Sequence, residues 1–171
     1  MEGQLGLPLD AGTPPAGEVP GLRYWPGFLS PADEFALIQA IDHAGVWSHA
    51  LERRVQHYGF RYDYRARSID DAAPAVPFPV WLSDLAQRLY SSGLMHSVAD
   101  QAIVNEYDPG QGIAPHIDCE PCFGPEIVSV SLGSGCEMTL SHPPTGRTVP
   151  LYLEARCALA LSGEARYTWL H

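Results

Sequence analysis

Gln101-Ala102-Ile103-Val104-Asn105-Glu106-Tyr107-Asp108-Pro109-Gly110-Gln111-Gly112-Ile113-Ala114-Pro115-His116-Ile117-Asp118 is where the chain changes character. From Gln101 onward, apolar residues come in short runs broken by turn residues. The runs predict strands over Ala102–Tyr107, Ile127–Leu132, Glu137–Leu140, Thr148–Leu153, Cys157–Leu161 and Tyr167–Leu170. Gly133-Ser134-Gly135 and Pro143-Pro144-Thr145-Gly146 read as turns between them. Upstream the pattern is helical. Ser30 can cap a helix, Pro31 suits its first position, and Asp33 and Glu34 favour its positive end. Phe35, Ile38, Ile41 and Gly45 then follow helical spacing, with Leu37 and Ala44 widening the apolar face. A second helix is predicted from Pro79 to Tyr90, with Trp81, Leu82, Leu85 and Leu89 as its buried stripe. Two helices followed by many short strands predict an α+β, mainly β fold: a double-sheet barrel or jelly roll with the helices packed outside.

The chain has 171 residues, 46% apolar and 18% charged, which suits one globular domain with a substantial core. Sixteen prolines and sixteen glycines agree with a turn-rich architecture. The net charge is −10, and all ten basic residues are arginine. A protein holding nucleic acid mainly by its phosphates needs a strong positive field, so any such contact here has to be local. No apolar run approaches the roughly 20 residues of a membrane span, and no signal peptide is visible. Four cysteines without a framework pattern predict a reduced, cytoplasmic setting. Residues 1–20 read as a flexible arm, and residues 21–171 as a single, monomeric domain.

Two histidines and a carboxylate, His116, Asp118 and distant His171, make up the ligand set of a non-haem Fe(II) oxygenase. On a strand, His116 and Asp118 would point the same way. The alternative is a turn histidine, a solvated aspartate and a terminal histidine without a shared task. Asn105 and Tyr107 would likewise share a strand face, where a bound dicarboxylate could satisfy an amide and a phenol. The alternative is that they complete the hydrogen bonds of the adjacent turn. Cys119-x-x-Cys122 can be a redox pair or half a zinc site, but without a second such pair it reads as a plain loop. Arg53, Arg54, Arg61, Arg65 and Arg67 cluster with Tyr58, Tyr62 and Tyr64. Such planes can stack on an extruded base or meet phosphates; the alternative is a solvated strand pair. Trp25, Trp47 and Trp81 read as packing residues.

Asn105-x-Tyr107-x-Pro109-Gly110…His116-x-Asp118, then Ile127 to Gly133, then Leu161-Ser162-Gly163-Glu164-Ala165-Arg166-Tyr167-x-Trp169-x-His171, resembles the AlkB family of Fe(II)/2-oxoglutarate dioxygenases. The resemblance runs from about Leu22 to His171. It implies a double-stranded β-helix, Fe(II) at His116, Asp118 and His171, and 2-oxoglutarate held by Asn105 and Tyr107, with O2 as second co-substrate. It implies oxidative demethylation or hydroxylation of a modified base in DNA or RNA. His57 to Tyr64 resembles the family's lid segment, which implies that Tyr58, Arg61, Tyr62 and Tyr64 meet the substrate. That segment is similar to the subgroup acting on transfer RNA. A protein side chain is the alternative substrate. The family's arginine-rich strand beyond the third ligand has no counterpart before His171. Arg156 and Arg166 match ordinary positions and are not expected to replace it. The resemblance therefore implies a C-terminally truncated member with its closing strand missing, and a weakly active or inactive metal-binding module as a further alternative.

Overall fold

The structure is a computed structural model that describes residues 18–49, 51–60, 62, 63, 66, 68, 69 and 76–171. Arg61, Tyr64, Arg65, Arg67 and most of the expected N-terminal arm lie outside the described residues.

Among the described residues the elements run β1 (Leu22–Trp25), α1 (Pro31–Ala44), β2 (Arg54–Tyr58), β3 (Tyr62–Asp63), β4 (Ser68–Ile69), α2 (Val80–Ser91), β5 (Ala102–Glu106), β6 (Glu126–Val130), β7 (Cys136–His142), β8 (Arg147–Leu153), β9 (Ala158–Ser162) and α3 (Gly163–Tyr167). All pairings are antiparallel: β1-β9-β6 form one sheet, and β2-β5, β3-β4 and β7-β8 form pairs. The described strands do not close into a barrel.

β9 organises the core because it is buried on both faces. Cys157, just before it, and its Leu159 and Leu161 point one way, onto Leu140, Val149, Leu151 and Leu153 of the β7-β8 hairpin. Ala158 and Ala160 point the other way, onto Leu37 of α1 and Leu89 of α2. This is the alternation of a central strand, with small residues where helices approach and large ones where two sheets meet. The helices thus pack outside the sheet layer. Each fully buried leucine of this kind contributes roughly 1.5–3 kcal/mol.

α1 starts as its sequence dictates. Ser30 Oγ accepts from the Asp33 amide, and Asp33 reaches back to the Ser30 amide, a reciprocal capping box. Of its expected apolar face, Leu37 and Ile41 are buried, but Phe35 is 67% exposed. The cause is Glu34, whose carboxylate accepts from the Gly133 amide at 2.9 Å and from Arg156 at 2.9 Å. That anchor sets the rotation of the helix and turns Phe35 outward. Of the expected stripe of α2, Leu82 and Leu89 are buried and Trp81 and Leu85 partly so; Ala86, not expected, is buried with them.

Three further expectations are corrected. Val19, assigned to the arm, is 1% exposed and lies in the core, so the fold begins before residue 21. Tyr167–Leu170 is not a strand; α3 occupies Gly163–Tyr167, and only Leu170 pairs, as an isolated bridge to Ser141. Trp25 is 46% exposed and is not a core residue.

Candidate metal centre

The site is built where the chain's irregular segments meet. His116 and Asp118 follow the turn after β5 and lie outside any strand. Their shared direction therefore does not come from a strand's period. It comes from a long-range pairing: the His116 amide donates to the His171 carbonyl, and the His171 amide donates to the His116 carbonyl, both at 3.0 Å. Two reciprocal backbone bonds fix the register of the two histidines, and their rings stand 4.7 Å apart.

Asp118 lies against both imidazoles. One carboxylate oxygen is 3.5 Å from His116 Nε2, and the other is 3.4 Å from His171 Nε2. One donor atom from each of the three residues lies within 4.8 Å of the others. Burial pushes the Asp118 carboxyl up, but its hydrogen bonds to the two histidines and their charge outweigh this and hold it well below the usual range. Its contact with Asp118 raises the His116 imidazole, against the effect of burial.

The supports are specific. His116 Nδ1 lies 3.0 Å from the Ala114 carbonyl. A carbonyl only accepts, so this contact assigns a proton to Nδ1 and makes Nε2 the atom that shares a proton with Asp118 or, with that proton gone, offers its lone pair to a metal. Below the site, Arg166 is completely buried. Its guanidinium donates to the carbonyls of Asp118 at 3.0 Å, Cys119 at 3.3 Å and Gly124 at 3.4 Å. It pins the loop that carries the carboxylate ligand. Cys119 and Cys122, read from sequence as a plain loop, are joined by a disulfide in that loop. An open pocket of about 680 Å³ adjoins His116 and Asp118, with Glu120 and Leu170 on its walls.

The donor set fits Fe(II): two imidazole nitrogens and one carboxylate, converging from one side and leaving positions open on the other. N and O donors bind first-row divalent ions at about 2.0–2.2 Å, so the three groups have only to draw in slightly.

Asn105, on β5, is half-buried, and its Oδ1 accepts from Arg53 Nε at 2.8 Å. Tyr107 stands just past the end of β5, 42% exposed, with the Arg53 guanidinium 5.8 Å from its ring centre. The adjacent turn does not use either side chain; Gln111 closes it by accepting from the Asp108 amide. Tyr62 packs its ring 5.2 Å from that of Phe123, so β3 lies over the ligand loop. Tyr58 is corrected as a substrate contact. It is 3% exposed, donates to Gln56 at 2.7 Å and meets Trp81 edge-on. Arg54 is engaged by Glu106 and covers the Trp47 ring. Arg156 is taken up by Glu34.

The model of the 2OG-Fe(II) oxygenase superfamily matches residues 21–171. The chain belongs to this superfamily. Within it, the chain is an AlkB-family oxygenase. It is 36% identical over 156 residues to the tRNA (carboxymethyluridine(34)-5-O)-methyltransferase alkbh8 of Xenopus tropicalis, covering 89% of this chain and 25% of that protein. It is 35% identical over 175 residues to the alkylated DNA repair protein ALKBH8 homolog of Arabidopsis thaliana, covering 90% and 50%. It is 30% identical over 127 residues to the probable RNA/DNA demethylase ALKBH6 of Danio rerio, covering 72% and 51%. The chain thus spans a quarter to a half of the length of these relatives. The solved structure of OsALKBH1 superposes with a TM-score of 0.71 at 19% identity, covering 88% of this chain and 83% of that one. That likeness shows a jelly-roll fold. No helix among the described residues is long and apolar enough to cross a membrane.

Proposed function

We propose that this oxygenase uses Fe(II), 2-oxoglutarate and O2 to oxidise a modified base in RNA or DNA. One observation carries the reading: the reciprocal backbone bonds between His116 and His171, which bring both imidazoles onto Asp118. His116, Asp118 and His171 would hold the metal, and Asn105 and Tyr107 the 2-oxo acid. When bound, the Fe(II)–2-oxoglutarate pair supplies O2 activation coupled to decarboxylation of the 2-oxo acid to succinate. The chain's own residues set the geometry. The Ala114 carbonyl fixes the His116 tautomer, Arg166 fixes the Asp118 main chain, and Tyr62 with Phe123 forms a rim beside the ligand loop. On an N-methyl group, hydroxylation yields a product that sheds formaldehyde.

Nucleic acid is supported by the relatives, whose names specify tRNA, alkylated DNA and RNA/DNA demethylation. The net charge of −10 favours a second reading, a protein side chain, because it gives little long-range attraction for phosphates. Succinate formation separates the two. It should rise above the substrate-free rate with N-methylated RNA or DNA oligonucleotides. A rise with methylated peptide alone would select the second reading, and no rise with either would contradict both.

A further inference from the structure

Cys119 and Cys122 form a sequence motif that the metal site does not use. Their disulfide lies in the loop that runs from Asp118 to Gly124, ahead of β6. Arg166 grips both ends of that loop, at the Asp118 and Cys119 carbonyls and at the Gly124 carbonyl. Between those grips the chain makes a tight turn. The amides of Cys122 and Phe123 both donate to the Cys119 carbonyl at 3.2 Å, and the disulfide closes the same turn. Cys119, Glu120 and Pro121 line the open pocket beside His116 and Asp118, and Phe123 carries the ring that meets Tyr62. One covalent bond thus ties the pocket wall and its rim to the end of the loop that holds Asp118.

A bond that closes so short a loop restrains little of the unfolded chain, so its effect is local. It is also within reach of a reductant. Cys119 is 5% exposed, but Cys122 is only half-buried, and accessible disulfides are the labile ones. We propose that Cys119 and Cys122 are a redox-active pair, reduced by a dithiol, and that reduction loosens the pocket wall and rim while the metal ligands stay in place. A thiolate of the dithiol attacks Cys122 Sγ. The S–S bond breaks, and its electron pair leaves on Cys119 Sγ, which takes up a proton. The second thiol of the reductant then attacks the mixed disulfide, and Cys122 leaves with the other proton. The pair gains two electrons and two protons, and the dithiol becomes a disulfide. Asp118 keeps its place because the Arg166 bond to its carbonyl is untouched. The inference goes beyond the proposed reaction and stands whatever substrate is oxidised.

The test compares the native chain before and after treatment with dithiothreitol. After the reductant is removed, thiols are trapped with N-ethylmaleimide and mapped by peptide mass. Hydrogen exchange follows the loop amides, and electron paramagnetic resonance measures Mn(II) affinity in both forms. Cys119 and Cys122 should become labelled without denaturant. The Cys122 and Phe123 amides should exchange at least about tenfold faster in the reduced form, with the His116 and His171 amides and Mn(II) affinity within about twofold of the oxidised form. Cys122→Ser, which cannot form the bond, should exchange at the fast rate with or without dithiothreitol. A pair that resists dithiothreitol until the chain is unfolded overturns the proposal. So does equal loop exchange in the two forms, and so does a Mn(II) affinity that falls together with the loop's protection.

Discussion

Replacing Arg166 with methionine should loosen the metal loop and lower the stability of the whole domain. The Nη1 bond to the Asp118 carbonyl, at 3.0 Å, is of full strength, whereas those to Cys119 and Gly124, at 3.3 and 3.4 Å, are long. A charged hydrogen bond contributes about 1.5–3 kcal/mol net, and a weak one roughly 0.5 kcal/mol. Methionine fills much of the volume, so cavity formation adds little. The expected cost is about 3 kcal/mol, within the range for breaking buried charged contacts. For a chain of this size 1 kcal/mol shifts Tm by about 2–4 °C, so the variant should melt about 6–12 °C lower. Scanning calorimetry of the metal-free proteins reads this directly. The same change should weaken metal binding about 10- to 100-fold, as loss of an outer support does elsewhere. Arg166→Lys should sit between, because one ammonium cannot reach three carbonyls. A methionine variant melting within about 2 °C of the parent, with unchanged metal affinity, would refute the role given to Arg166.

Other outcomes are equally concrete. Asp33 is held down to about 2 by its bond from Arg88 and then by those from Ser30. A depressed folded pKa gives stability that is present above the unfolded value near 3.8 and is lost as pH falls toward 2; the urea-midpoint gap between parent and Asp33→Asn should close over that window, and a constant gap would contradict it. Gly21 has φ +89°, and a Cβ there would meet the Ser162 carbonyl; Gly21→Ala should cost at least about 1–3 kcal/mol, measured by chemical denaturation, and a neutral result would contradict the close approach of Gly21 to the end of β9. Of the cysteines, Cys136 is exposed, Cys157 is buried and Cys119 and Cys122 are bonded. Alkylation in denaturant without reductant should therefore add two labels by intact mass, at Cys136 and Cys157, and reduction should raise this to four; four labels before reduction would contradict the bond.

Local signals made parts of the fold legible. Ser30, Pro31 and Asp33 specify the start of α1 without help from the rest of the chain. The alternation in β8, with Val149, Leu151 and Leu153 buried, is readable in the same way. What escaped was set by distant partners. Phe35 follows helical spacing, yet Glu34 reaching Gly133 and Arg156 decides which face turns inward. Tyr167–Leu170 has strand-like residues, but burial of Ala165, Arg166 and Trp169 is achieved by a helical turn. At the site, residue types alone suggested His116, Asp118 and His171, and the structure brings them together. The bond that aligns the histidines is long-range and leaves no periodicity. Arg166 stands inside the stretch that carries the resemblance and reads as an ordinary position there, because its support of the ligand loop shows only in its burial and its three long-range carbonyl partners. Tyr58 shows the reverse error: an aromatic in a basic segment looked like a substrate contact and is core.

The central claim is that His116, Asp118 and His171 share one metal ion. A crystal soaked anaerobically with Mn(II) and measured at the manganese edge tests it most directly. The account requires a single strong anomalous peak at about 2.0–2.3 Å from both Nε2 atoms and an Asp118 oxygen. A peak bound by only one of the three, or seated away from them beside Glu120 or another surface carboxylate, would contradict it.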